Sequence, residues 1–184
     1  HGNATEFTLR PTGRAMRWHP GQFAFVSAPD AGLAEAHPFT IAAAPRADGS
    51  LRFGIKALGD WTTRLPERLT QGQRVRVEGP YGRFLFRRSV PRQVWLAGGI
   101  GITPFLAWAE ALTDKDRQQI ALIWAVTTAE EAFAADRLKT IAARHPGLTV
   151  RIVASKTEGR LTADRLVTMV PFDIEQAELF FCGP

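Results

Sequence analysis

Leu96-Ala97-Gly98-Gly99-Ile100-Gly101-Ile102-Thr103-Pro104 sets a glycine-rich turn between two segments of opposite character. Residues 94–97 before it form a short apolar run, and residues 104–112 after it have helical composition, so a strand is predicted to turn into a helix here. Glycine in such a turn lets the backbone take positive φ and approach a ligand closely. Thr103 suits the helix cap, and Pro104 suits the first helical position, where no N–H is needed. The free amides of that helix start, aligned with its dipole, make an anion site suited to a pyrophosphate. A tight turn that binds nothing has the same composition. The spacing also departs from the Rossmann G-x-G-x-x-G fingerprint, so that dinucleotide-binding form is not implied.

Downstream, the pattern continues as strand and helix in alternation. Residues 120–126 are a nearly continuous hydrophobic run, as a strand buried on both faces requires. Residues 132–144 read as a helix, 148–154 as a strand, 163–168 as a short helix and 179–182 as the last strand. This order predicts a parallel sheet covered by helices. Ser155 and Lys156 follow one of its strands, at the sheet edge where ligands bind. With Arg160 nearby they suit an extra phosphate, and they equally suit a solvated loop. Cys182 on the last strand reads as a small buried hydrophobe. No His partner is signalled for it, so an activated nucleophile is not implied, while a role at the mouth of a cleft stays open.

Upstream of residue 90 the segments shorten and become β-type: 6–10, 22–26, 38–42, 51–57 and 74–77. Pro-Gly at 20–21, Asp-Gly at 48–49, Gln-Gly at 71–72 and Gly-Pro at 79–80 separate them, which predicts a barrel or sandwich. A short helix is predicted over 61–69, its regularity limited by Pro66. The polar stretch 87–92, with Pro91, marks a boundary between domains 1–88 and 92–184. Two clusters in the first domain carry chemistry. His37-Pro38-Phe39-Thr40 opens a strand, and Lys56-Ala57-Leu58-Gly59-Asp60-Trp61-Thr62 joins a strand to the short helix. Phe39 and Trp61 can face a planar ring, Thr40 can donate a hydrogen bond, and the amides of residues 60–62 beside Gly59 can cradle phosphate. Phe39 is equally read as a core aromatic, and Asp60 or Thr62 as a helix cap.

The chain has 184 residues, of which 45% are hydrophobic, enough for one large domain or two small ones and unlike a disordered composition. Its single cysteine excludes an internal disulfide, a cysteine-bound cluster and a cysteine zinc site, so redox chemistry would rest on an organic cofactor. The net charge of +5 suits an acidic partner or phosphorylated ligands, or simply a solvated basic surface. No basic helix or patch interleaved with aromatics points to nucleic acid. No stretch reaches the roughly 20 apolar residues that cross a bilayer. The sequence begins with His1, not Met, and is expected to start inside a longer product.

Five motifs occur in one order: His37-Pro38-Phe39-Thr40, Gly59-Asp60-Trp61-Thr62, Gly79-Pro80-Tyr81-Gly82, the glycine turn at 98–104 and Cys182-Gly183-Pro184. In them the chain resembles the ferredoxin–NADP reductase superfamily, most nearly the FAD/NAD(P)H dehydrogenase domains of ferric reductases and NADPH oxidases. The resemblance implies a two-domain β + α/β protein. A six-stranded Greek-key flavin-binding barrel would precede a parallel-sheet nucleotide-binding domain, which is expected to be truncated after Pro184. It implies that Phe39 lies against the isoalloxazine and that Thr40 hydrogen-bonds near the reactive nitrogen. His37, followed by Pro38, stands where many soluble members have an Arg facing the FAD pyrophosphate; the His form is typical of the membrane branch. Lys56, Gly59, Asp60, Trp61 and Thr62 would hold the pyrophosphate. Gly98, Gly99, Gly101 and Thr103 would bind NAD(P)H, with Cys182 and Gly183 beside the nicotinamide. Thr40 and Cys182 are thus the expected catalytic positions. Ser155 and Lys156 resemble a Ser-Arg pair that reads the 2′-phosphate, which favours NADPH with NADH possible. The expected function is hydride transfer from NAD(P)H to FAD and single-electron delivery to an acceptor. That acceptor is expected to be a haem-bearing membrane domain of the same longer chain, which would put the module on the cytoplasmic side of a membrane. The alternatives are a soluble cytoplasmic reductase serving an iron–sulfur or oxygenase partner, and a nucleotide-binding module that moves no electrons.

Overall fold

The computed structural model describes residues 4–184. In the first half, five strands and one helix form: β1 Ala4–Leu9, β2 Phe23–Ala28, β3 Leu33–Thr40, β4 Leu51–Lys56, α1 Asp60–Arg68 and β5 Arg76–Tyr81. All strand pairs are antiparallel. β1 lies along β4 from Ala4 opposite Lys56 to Leu9 opposite Leu51, and β2 is flanked by β3 and β5. A single bridge between Ile41 and Phe53 ties the two sheets. Inward-facing Ala24, Val26, Ile41, Leu51, Phe53 and Ile55 share one core with Trp61 and Leu65 of α1. The five strands read from the sequence are present, and the closed six-stranded barrel is not found among the described residues. The segment 10–22 carries Pro11, Gly13, Pro20 and Gly21 and enters no ladder, because proline offers no N–H and glycine adds no packing side chain. β3 begins five residues earlier than the sequence suggests. It is an edge strand, so Ala34, Glu35 and Ala36 are exposed and carry no hydrophobic signal.

The second half alternates: β6 Arg92–Gly98, α2 Thr103–Glu110, β7 Gln119–Val126, α3 Ala135–Arg144, β8 Leu148–Ala154, α4 Ser155–Glu158, α5 Ala163–Met169 and β9 Glu178–Cys182. The four strands make a parallel sheet in the order β8-β7-β6-β9. β7 reads as continuously apolar because it feeds two cores. Ile120, Leu122 and Trp124 face α2, while Ala121 and Ile123 face the layer of Leu161, Leu166 and Phe172. Helix α2 is buried from Thr103 through Ala109, enclosed between the sheet and the first half. The chain therefore has a two-domain β + α/β architecture.

The halves are joined by aromatic packing. Phe84 and Phe86, just after β5, enter the second core, where Phe84 stacks on Trp108 at 4.7 Å between centroids. Trp108 returns the contact, its Nε1 donating to the carbonyl of Pro20 at 3.1 Å.

Candidate functional site

Along β3 the side chains alternate, so His37 and Phe39 share one face. Trp61, on the first turn of α1, packs against both, with centroids 4.9 Å from His37 and 5.4 Å from Phe39. Two polar atoms in this aromatic group are buried without a hydrogen-bond partner: His37 Nε2 and Trp61 Nε1. Glu35 approaches His37 Nε2 at 3.4 Å, but without the angles of a hydrogen bond. Buried unpaired polar groups are costly, so these two nitrogens are open to a polar partner from outside the chain. Beside it, the Thr62 hydroxyl accepts from the amides of Leu58 at 2.9 Å and Gly59 at 3.0 Å, and donates to the Gly59 carbonyl. That hydroxyl is committed to shaping the loop, and the amides at residues 60–62 remain the free donors of the helix start. Gly59 opens onto empty space. Lys56 is engaged across the halves, its Nζ 3.4 Å from Glu131 Oε2.

The second cradle lies at the C-terminal ends of β6 and β9. Parallel register sets Ala97 beside Cys182. A methyl group on Gly101 would sit 2.1 Å from the Cys182 carbonyl oxygen, and one on Gly183 would sit 2.8 Å from the Gly98 Cα. Gly98, Gly101 and Gly183 thus form one close-packed backbone nest, which only glycine permits at 101 and 183. Gly99 has φ 51° and faces open space. Its carbonyl accepts from Trp124 Nε1 at 2.8 Å, an anchor the sequence did not signal because Trp124 reads as one more apolar residue of β7. Thr103 is the first helical residue and not the cap. A 3-10 turn over Gly99–Ile102 intervenes, and the Thr103 hydroxyl donates back to Ile100. Burial pushes the Cys182 thiol above its ordinary range, keeping it neutral.

Strand β4 reaches the second half through Gly54 and Lys56. Gly54 of β4 faces the second half: a methyl on it would lie 3.3 Å from Thr103 Cγ2 and 3.2 Å from Phe133 Cζ. A side chain there would have to push the Phe133 ring and the Thr103 methyl aside by a few tenths of an ångström. Ser155, Lys156 and Arg160 stand apart, two strands away at the end of β8. The Lys156 amide donates to Thr127, while the side chains of Lys156 and Arg160 are exposed. Glu158 is turned toward the strand, accepting from the Ala154 amide and pairing with Arg151 at 3.1 Å.

Unpaired buried nitrogens beside aromatic faces, an open helix start and a glycine nest together fit a planar ring carrying a diphosphate, with a second nucleotide opposite. An FAD-binding domain model matches residues 2–84, and an oxidoreductase NAD-binding domain model matches residues 95–184. The chain belongs to the ferredoxin–NADP reductase superfamily. It is an FAD- and NAD(P)H-binding module of flavin-dependent oxidoreductases. Among its relatives in this superfamily, methane monooxygenase component C of Methylosinus trichosporium is 32% identical over 169 residues, covering 90% of this chain and 48% of the relative. The stachydrine N-demethylase reductase subunit of Rhizobium meliloti is 28% identical over 196 residues, covering 99% of this chain and 55% of the relative. The chain spans about half the length of the curated relatives it matches. The ferredoxin reductase in carbazole 1,9a-dioxygenase shares the fold, with a TM-score of 0.80 at 22% identity over 99% of this chain and 57% of that one. These relatives correct two expectations. Relatives matched over nearly the whole chain are a monooxygenase component and a demethylase reductase subunit, which overturns the expected haem-bearing membrane domain in the same chain. Placement on a membrane as part of a membrane protein falls with it, and no helix among the described residues is long and apolar enough to cross a membrane.

Proposed function

We propose that this module takes hydride from NAD(P)H onto FAD and passes electrons singly to a separate oxygenase or iron–sulfur partner. The observation that carries this reading is the pair of buried, unpartnered nitrogens, His37 Nε2 and Trp61 Nε1, beside Phe39 in the first half, together with the nest of Gly98, Gly101 and Gly183 in the second. Relatives named as a monooxygenase component and a reductase subunit support the choice of partner. FAD, when bound, supplies the redox chemistry, accepting a hydride and releasing electrons one at a time. The chain supplies position. Phe39 and Trp61 offer aromatic faces to the ring, and His37 Nε2 and Trp61 Nε1 gain polar partners. The amides of residues 60–62, next to Gly59 and Asp60, hold the diphosphate. Lys56, held by Glu131, adds positive charge beside them. Thr40, following Pro38 and Phe39 on β3, donates toward the reacting edge. Gly98, Gly99, Gly101 and Thr103 admit the coenzyme backbone, with neutral Cys182 and Gly183 as the wall beside the nicotinamide. Hydride transfer needs no side-chain base, which agrees with a thiol held protonated.

Ser155 and Lys156, with Arg160 exposed nearby, favour NADPH over NADH. Glu158 is turned to Arg151 and forms no ion pair with Lys156 or Arg160 among the described residues. The test is anaerobic addition of each coenzyme to the full-length, FAD-loaded protein. Flavin absorbance should bleach at a lower NADPH than NADH concentration, and Lys156→Ala should remove the difference. Absence of bleaching with both coenzymes sinks the hydride reading; an equal loss of both affinities in the variant removes Lys156 from phosphate recognition.

A further inference from the structure

Glu110 ends helix α2 with its side chain only 15% exposed, and it gathers groups from both halves of the molecule. Its Oε1 accepts from Arg52 Nη1 of β4 at 2.7 Å and lies 3.8 Å from Arg137 Nη1 of α3. Its Oε2 accepts the amide of Ala44 at 3.3 Å, with Arg46 Nη2 at 4.0 Å. The far side of Arg137 grips both carboxylate oxygens of Glu6 on β1, at 2.7 and 2.6 Å. Arg137 Nη1 is buried and makes no hydrogen bond, and Glu110 at 3.8 Å adds to the Glu6 pair in offsetting the Arg137 charge. Replacing such a buried ionic cluster by apolar residues is often neutral for stability, whereas its directional bonds fix one arrangement.

The placement of those bonds matters more than their number. Ala44 lies four residues after Thr40, and the intervening Ile41, Ala42 and Ala43 are fully buried. Glu110 lies seven residues after Thr103, at the other end of a helix about 12 Å long whose start carries the glycine nest. Glu110 therefore connects the segment that follows Thr40, and β4, to the helix that presents the nucleotide loop. The other directional contacts between the halves, the Trp108 Nε1 bond to the Pro20 carbonyl and the Lys56–Glu131 pair, do not touch the segment that follows Thr40.

We propose that Glu110 is a positioning residue whose bonds to Arg52 and the Ala44 amide hold Thr40 in register with the coenzyme loop across the interface of the two halves. The inference rests on the hydride-transfer reading. Misplacement by about 1 Å costs a transfer of this kind up to about a hundredfold in rate, without any loss of binding groups.

The experiment uses the full-length protein and the variants Glu110→Gln and Arg52→Lys. Flavin reduction is followed anaerobically at saturating coenzyme, and FAD and coenzyme affinities are measured separately. Glu110→Gln should slow the reduction step about tenfold while both affinities stay within about twofold. Arg52→Lys keeps the charge, loses the planar fork and should slow the step about threefold; it stands in should Glu110→Gln fail to fold. Exchange of the Ala44 amide hydrogen should quicken in Glu110→Ala, a readout independent of coenzyme. An unchanged reduction rate in both folded variants overturns the proposal, as does a slowing matched by lost FAD affinity. A parent protein that coenzyme never bleaches overturns the hydride reading instead, and the exchange result then reports on the connection alone.

Discussion

Cys182 stands where the last strand meets the glycine nest, and burial raises its thiol above the ordinary range. The thiolate is the form that alkylating reagents attack, and the buried site disfavours it. Labelling of Cys182 by iodoacetamide should therefore reach half its maximal rate above about pH 8.5, the value for a free cysteine. Mass-spectrometric labelling rates across pH check this, and a midpoint at or below the free value would show an activated thiol. At this scale the sequence was informative where neighbours in the chain do the work. His37, Phe39 and Trp61 meet because strand alternation and a nearby helix bring them together. It was silent on Glu110 and Glu131, whose partners Arg52 and Lys56 lie 58 and 75 residues away. Nothing local distinguishes those carboxylates from solvated ones.

The turn joining β6 to α2 belongs to the element scale because its shape depends on β9. Gly101 abuts the Cys182 carbonyl and the Gly183 amide, both backbone groups that cannot swing aside. Gly101→Ala should lower stability by about 1–3 kcal/mol, the usual cost of forcing a methyl into closed space. Urea unfolding with an unchanged slope checks it, and a loss under half that size would mean that β9 yields. Strands buried on both faces, such as β7, were legible as apolar runs, and the parallel order followed from the alternation of strands and helices. The edge strand β3 was only half legible, since its exposed start obeys no pattern. The sixth barrel strand came from resemblance alone, and the proline- and glycine-bearing segment 10–22 does not supply it.

For the whole molecule, the halves behave as one packed body as far as their aromatic seam is concerned. Phe84→Ala removes the ring stacked on Trp108 and should cost about 2–3 kcal/mol, less than a fully enclosed Phe because this one is only partly buried. Thermal unfolding should then show lowered, coincident transitions by circular dichroism and by release of bound flavin. A shift in one probe alone would show that the seam serves only one half. That seam also has a consequence in time. Phe84 and Phe86 leave the ribosome before Trp95, Phe105 and Trp108, the residues that shelter them. At ordinary elongation rates the wait from Phe86 to Trp108 is about 1–4 s, during which the nascent chain carries two unsheltered aromatic rings. A chaperone that covers apolar side chains would serve the polypeptide in those seconds of synthesis, and slowing translation there would lengthen the exposure.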